Sequence, residues 1–518
     1  MTVLLGVDLG SSAVRAVAYD PERGAAAGEA ARPTPVEHPW AGASQHDPQA
    51  LWEAVAACLR EVAAGRQVAG LAIASFAEAG LPLDAAGQPL YPIIAWYDRR
   101  CEPQVAFWES RYTPGQLHSI TGQRVSPSFG VNKWLWIREH HPELAAQAAG
   151  WLSAPDYILY RLTGERFTDY SLASRTLLFD QRSLAWSGEL VAQAGLSVAQ
   201  LPCPRPGGTP VGTVTSRAAA ETGLPAGTPC VLGGHDHLVA SLAAGAFRPG
   251  VVIDSSGTAQ ALEIILPAFV TNARMAEGGY ACYAHVLAGQ YVLKGGLKAA
   301  GGAVEWLARQ LSGRPAGEQE LPYAELMAEA EAGVGRRAGP LWLPHLIGSG
   351  TPQGDRHSRG ALAGVTVEQE RGDLFRGMLE GLAFWLRHNL AEMAELTGQA
   401  IEQVVLLGGT TRLGLLTQLK ADVLDLPVVV PDLAQAAGVG AALLAGVGVG
   451  LFASPAEAVA SLRCARQVVV PNRARVGWYA RLYERAYLPL YAALRDVHHE
   501  MERLEREGQP QAILGLEV

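Results

Sequence analysis

One carboxylate stands between two imidazoles in GGHDHLVASLAAG, residues 233–245. Asp236 follows a hydrophobic run, on a glycine-rich turn, where an Ala/Leu helix begins. A carboxylate in that place either caps the helix or moves a proton, and spacing alone favours the cap. His235 and His237 have no third ligand in the pattern, and a zinc centre needs one. Contact with ligand hydroxyls and ordinary packing are their other readings. Two turns of small residues could hold an anion. Gly10, Ser11 and Ser12 follow the carboxylate of Asp8, and Gly257 and Thr258 sit in SSGTA. Such turns let backbone N–H groups close on a phosphate with no Cβ in the way, and Asp8 is placed for a hydrated Mg²⁺. Taken singly, each is an ordinary hairpin turn. No G-x-x-x-x-G-K-[ST] segment and no protein-kinase motif set occurs, so those routes to a nucleotide are closed.

The elements around these turns repeat. VLLGVD (3–8), GSS and AVRAVAYD read as strand, turn and returning strand; VVID (251–254), SSGTA and QALEII repeat the pattern. LWEAVAACLREVA (51–63) reads as a helix before the strand VAGLAIAS (68–75). QVVLLGG (403–409), LGLLTQLKADVL (413–424) and PVVVP (427–431) read as strand, glycine turn, helix, strand. That is the grammar of an α/β sheet. Two similar α/β halves predict a duplicated fold with a cleft between them, the boundary falling near residues 245–250. Residues 436–453 form an uncharged run, but glycine and alanine make it a buried helix rather than a membrane span. The G-x-G-x-x-A match within it (448–453) neither follows a strand nor opens a helix, and is read as chance.

Bulk properties exclude several classes. The chain has 518 residues, 49% of them hydrophobic, enough for two or more domains. A net charge of −9 with no basic stripe argues against a nucleic-acid partner. Six scattered cysteines without a CxxC pair favour reduced thiols in a cytoplasmic protein, and MTVLLGVDLG lacks the basic leader of a signal peptide. No membrane partner is expected, and the choice between monomer and homodimer stays open.

Taken together the segments are far more specific. GVDLGSSAVRAV resembles the first phosphate loop of the sugar kinase, actin and heat-shock ATPase superfamily, and DSSGTAQAL resembles the second. LLGGTTRLGLLTQLKADVLDLPVVVP resembles the adenosine segment of one branch, the FGGY carbohydrate kinases. WYDRR (96–100), SPSFGVNKWLWI (126–137), PDYILYRLTGERFTDYSLASRTLLFD (155–180), AAGGAVEWL (299–307), LPHLIGSGTPQGDRHSRGALAGVT (343–366) and AAGVGAALLAGVGVG (436–450) follow in that family's order.

The resemblance implies two ribonuclease-H-like (actin-like ATPase) α/β domains around a central catalytic cleft that takes a sugar or polyol and ATP-Mg²⁺. It implies an N-terminal domain over 1–248, a C-terminal domain over 249–455 and a helical tail over 456–518. GGHDH falls where the family carries its general base, which reverses the cap reading of Asp236. Gly10, Ser11, Ser12, Gly257 and Thr258 would meet the phosphates, Asp8 would hold Mg²⁺ through water, and Gly301, Gly408 and Gly409 would line the ribose and adenine. Leu413 departs from the family, where several relatives carry a polar residue. On the acceptor side, glycerol kinases present Arg and Glu where this chain has Ala77 and Glu78. Their tyrosine becomes Ser128 here, and a glutamine becomes His237. The site is expected to take a ketose or a four- to six-carbon polyol, with Trp96 packing near it or in a core. A xylulokinase is the narrower reading, and an actin-like or chaperone-like nucleotide-binding protein is the reading from another class. His498 and His499 are expected on a solvated helix face, and Tyr479, Tyr483 and Tyr487 on a packed one.

Overall fold

The computed structural model describes residues 1–313, 321–334 and 339–507. Residues 508–518 of the expected tail therefore lie outside the described residues, as do 314–320 and 335–338.

Two sheets share one wiring. In the first, β1 (Thr2–Leu9) and β2 (Ala13–Asp20) are antiparallel neighbours and β3 (Ala25–Pro33) extends them. β4 (Gln67–Ser75) lies parallel to β1 on its other side, followed by β5 (Pro210–Thr213) and β6 (Pro229–His235), giving the order β5-β6-β4-β1-β2-β3. The second sheet repeats this with β7 (Val251–Ser256), β8 (Gln260–Leu266), β9 (Ala281–Ala284), β10 (Tyr291–Leu297), β11 (Gln403–Leu407), β12 (Val428–Pro431) and β13 (Arg466–Val469), in the order β9-β10-β8-β7-β11-β12-β13. β1 and β7 are the central strands, and their runs of buried aliphatics reflect burial on both faces. Every strand read from the sequence is present. The helix expected at 51–63 begins at Pro48, where Asp47 accepts the Ala50 N–H at 2.7 Å.

The helix Ala436–Gly448 belongs by sequence to the second half, yet it packs on the first sheet. Val439, Leu443 and Leu444 share a core with Leu4, Val17, Ala72 and Leu238. Glycine permits the approach. A Cβ on Gly6 would overlap the Gly438 carbonyl oxygen, and one on Gly440 would overlap the carbonyl oxygen of Val239 on the helix Asp236–Ala243. After that helix the chain remains with the first half, where Tyr19 Oη lies 2.8 Å from Ser461 Oγ, before β13 returns to the second sheet.

The tail packs on the second half. Tyr479, Tyr483 and Tyr487 surround Phe384 of the helix Arg371–Thr397, with ring centroids 5.1–6.2 Å away. The tyrosine face is as expected, and His499 is exposed as expected, but His498 is not solvated. His498 is buried and its Nδ1 accepts the Arg359 N–H at 3.2 Å, while His499 Nε2 lies 2.9 Å from Asp355 Oδ2. The helical pattern gave the spacing but not the loop that lies against it. All six cysteines are unpaired, and no described helix is long and apolar enough to cross a membrane.

The glycine contact between the helices gives a prediction. Gly440→Ala gains helix propensity worth about 1 kcal/mol but forces the two helices apart, and overpacking costs about 1–3 kcal/mol. The urea midpoint is expected to fall at an unchanged slope. A raised midpoint would contradict the contact.

Candidate active site

β1, β4 and β6 run parallel, and their carboxyl ends meet one cleft. Open α/β sheets present ligands there because the following loops converge. Leu9 ends β1 ahead of the Gly10–Ser12 turn, Ser75 ends β4 ahead of Ala77 and Glu78, and His235 ends β6 ahead of Asp236. The second half closes the other side with the β7–β8 turn and the end of β10. The cleft measures about 730 Å³, within the range of small-molecule sites. It brings together Ser11, Ala77, Glu78, Trp96, Ser128, Asp236, His237, Gly257 and Thr258. Asp8, Gly10, Ser12, Gly301, Gly408 and Gly409 are not among its lining residues, and Ser12, Gly408 and Gly409 are exposed.

Asp236 opens its helix instead of capping it. Oδ1 accepts the neighbouring His237 N–H at 2.7 Å and stands 3.5 Å from His235 Nε2. Burial, with the nearby charge of Asp8, pushes its carboxyl up to about 8, against the His237 N–H bond and Lys294. Burial likewise lifts Asp8 to about 6, opposed by Arg15, whose Nη1 lies 3.8 Å from Asp8 Oδ2. Burial and the cation of Lys294 hold the His237 imidazole down at about 3, and His235 falls well below its ordinary value for the same reasons. Both rings are therefore neutral near pH 7.

On the acceptor side Glu78 sits at φ +70°, a conformation that bulky residues rarely adopt outside functional sites. Its carboxylate is held by Arg175, whose Nε donates at 2.7 Å; Arg175 Nη1 also donates to Gln123 Oε1 at 2.8 Å. A guanidinium from a distant segment thus stands beside Glu78. Trp96 is a cleft residue and not a core one: it is 38% exposed, and its Nε1 donates to Ser11 Oγ at 2.9 Å. Lys133, fully buried, donates to the carbonyls of Trp96, Pro127 and Ser128, so one ammonium fixes both loops. Burial pushes it down to about 8.

The second turn is braced from below. Asp254, at the end of β7, pairs with Lys420 Nζ at 2.7 Å and accepts from Gln260 Nε2 at 2.8 Å, with both charged side chains fully buried. Gly301 N donates to the Gly257 carbonyl at 3.0 Å, and a Cβ on Gly301 would overlap that oxygen. Gly408, at φ +93°, is pressed against Ser256, where a Cβ would lie 2.6 Å from the carbonyl oxygen, and Thr410 Oγ1 donates to the same oxygen at 3.1 Å. Gly301, Gly408 and Gly409 therefore gather around Gly257 and Thr258. Leu413 packs against the core of the second half.

Two cleft residues, Arg175 and Lys294, and the buried Lys133 beneath the cleft loops carried no sequence signal of their own. Arg175 and Lys133 lay inside recognised segments without an assigned role, and Lys294 lay in none. Lys294 stands across from Glu263 in the β8–β10 pairing, its Nζ 3.7 Å from Oε1, and only long-range strand register reveals that pair.

The chain matches the FGGY family of carbohydrate kinases, N-terminal domain, over residues 3–243, and the C-terminal domain of the same family over residues 254–449. It is 28% identical to the xylulose kinase of Bacillus subtilis (strain 168) across 98% of this chain and 100% of that one. It is 31% identical to the glycerol kinase of Gloeobacter violaceus across 88% of this chain and 90% of the relative. The crystal structure of xylulose kinase from Rhodospirillum rubrum superposes with a TM-score of 0.87 at 29% identity, covering 96% of this chain and all of that one. The two-sheet α/β architecture is the actin-like ATPase fold.

The raised carboxyl of Asp236 yields a stability test. Its folded value lies above its ordinary 3.8, so its contribution is fully present below about pH 4 and is lost as pH climbs to about 8. Asp236→Asn removes that loss. The variant is expected to gain urea resistance over the wild type as pH rises from about 5 to about 9. A stability difference independent of pH would contradict the burial of a titrating carboxyl.

Proposed function

The chain belongs to the FGGY family of carbohydrate kinases, and we propose that it moves the γ-phosphoryl group of ATP onto a hydroxyl of a ketose or a four- to six-carbon polyol. It is a carbohydrate kinase, and the proposal concerns the acceptor and the residues that act. The observation that carries the reading is the position of Asp236, between the Glu78 side of the cleft and the two glycine turns. Phosphoryl transfer needs an oriented hydroxyl, a sink for its proton and compensation of the phosphate charge. Asp236 takes the proton from the acceptor hydroxyl as the new O–P bond forms and the bond to the leaving ADP oxygen breaks. Glu78, held by Arg175, accepts a second hydroxyl and orients the acceptor. Trp96, Ser128 and His237 complete that side, and Ala77 leaves it open.

Gly10, Ser11 and Ser12 face the phosphates from one half and Gly257 and Thr258 from the other, with Gly301, Gly408 and Gly409 beside the nucleoside. The turns fit such a ligand. A Cβ on Gly257 would meet nothing closer than the Ala259 carbonyl oxygen at 3.9 Å, and one on Gly409 nothing within 4 Å, so bare backbone faces open space at both. Asp8 fits a hydrated Mg²⁺, being a carboxylate near Asp236 whose cationic partner, Arg15, is 3.8 Å away. When bound, that ion would neutralise charge developing on the transferred phosphate.

We assign residues 1–248 to an N-terminal domain, 249–455 to a C-terminal domain and 456–518 to a tail whose described part adds β13 to the second sheet between its helices, with the 436–448 helix tying the second domain to the first. The unpaired cysteines fit a reducing, cytoplasmic compartment. A pentulose, as in a xylulokinase, is the narrower acceptor reading, favoured by the full-length likeness to a xylulose kinase.

Glycerol is expected to be a poor acceptor. Ala77, Ser128, Ala261, Gly295 and Gly296 leave the cleft wide, and a three-carbon ligand would strand polar groups such as Glu78. Each unpaired buried group costs about 1–3 kcal/mol, so two amount to roughly 30-fold or more in kcat/KM. ADP release across glycerol, tetritols, pentuloses and hexuloses checks this. A glycerol kcat/KM matching or exceeding that of every longer acceptor would contradict it.

A further inference from the structure

We infer that His235, Asp236 and His237 form a site for a late transition-metal ion of the Zn²⁺ class, and that occupancy of this site shuts the enzyme off. The sequence pattern offered two imidazoles without a third ligand; the structure supplies it in the aspartate between them. One ligand atom from each residue lies within 4.8 Å of the other two, and Asp236 Oδ1 is already 3.5 Å from His235 Nε2. The two rings are 5.3 Å apart by their centroids. His235 is 5% exposed and its Nδ1 has no hydrogen-bond partner, a buried donor atom left unsatisfied. The backbone beneath the triad is fixed, because Ser171 Oγ accepts the His235 N–H at 2.9 Å.

Two imidazole nitrogens and one carboxylate oxygen suit Zn²⁺, Co²⁺ or Ni²⁺ better than Mg²⁺, which prefers an all-oxygen octahedron. Asp236 and His237 line the cleft while His235 is buried behind them, so the fourth position opens toward the acceptor. Lys294 also faces the cleft, and its charge is opposed by Glu263. A metal held here occupies the carboxylate that must take the acceptor's proton. That inhibitory consequence rests on the reading of Asp236 as the base; the binding itself does not.

The test uses the untagged full-length chain, stripped of metal and free of nucleotide, titrated with Co²⁺. A visible ligand-field absorption saturating at one ion per chain and bleached by Zn²⁺ is expected. His235→Asn and His237→Gln, each checked for folding by thermal denaturation, are expected to weaken binding by about tenfold or more. His237 borders the cleft, so its variant stands if the buried His235 change disturbs folding. No absorption in the wild type, or unchanged affinity in a folded variant, would overturn the site. With an active acceptor and saturating Mg-ATP, Zn²⁺ is expected to raise the apparent KM for the acceptor. An unchanged KM in a chain that binds Co²⁺ would overturn the inhibition, and a chain that binds Co²⁺ but phosphorylates no acceptor would instead count against Asp236 as a base.

Discussion

A carboxylate stripped of most of its water governs this structure. Asp236 follows the end of the strand β6, near a second carboxyl at Asp8, and both are driven above their ordinary range by burial. Holding two like-charged groups together in a low-dielectric cleft costs folding free energy, and that cost is tolerated where the groups do chemistry. The surrounding charges follow from it. Arg15 answers Asp8, Arg175 answers Glu78 and Lys294 answers Glu263.

The fold supplies the rigidity this needs. Two sheets of the same wiring point their glycine turns at each other, and a buried ion pair between Asp254 and Lys420 braces the second turn. The two halves are joined by the 236–243 and 436–448 helices, whose backbones approach through Gly440. The first of these begins at Asp236 itself, so that carboxylate is carried by a helix packed against the 436–448 helix. The tail helix reaches the opposite rim, where Tyr491 and His499 both bind Asp355 of a cleft-lining loop.

Much of this was legible in the sequence because it is local. Strand–turn–strand openings, the 414–424 helix and the glycine turns are encoded within a few neighbouring residues, and the order of segments identified the family. Asp236 was legible only through that order, since its spacing alone reads as a helix cap. What stayed hidden depends on pairing across long separations. Arg175 binds Glu78 from 97 positions away in the chain, and only the folded cleft reveals the pair. The 436–448 helix gives no sign of crossing to the first sheet, because its glycines report close approach without naming the partner. His498 looked solvated for the same reason: a charged helical pattern cannot show the loop at residue 359 that covers it.

The central claim is that Asp236 takes the proton of the acceptor and does not bind the nucleotide. Asp236→Asn tests it most directly, with single-turnover phosphoryl transfer and ATP affinity measured on one preparation. Transfer should fall by about 10²–10⁴ while the Kd for Mg-ATP stays within about a factor of two, the usual signature of a lost general base. Near-wild-type turnover, or a loss confined to ATP binding, would contradict the account.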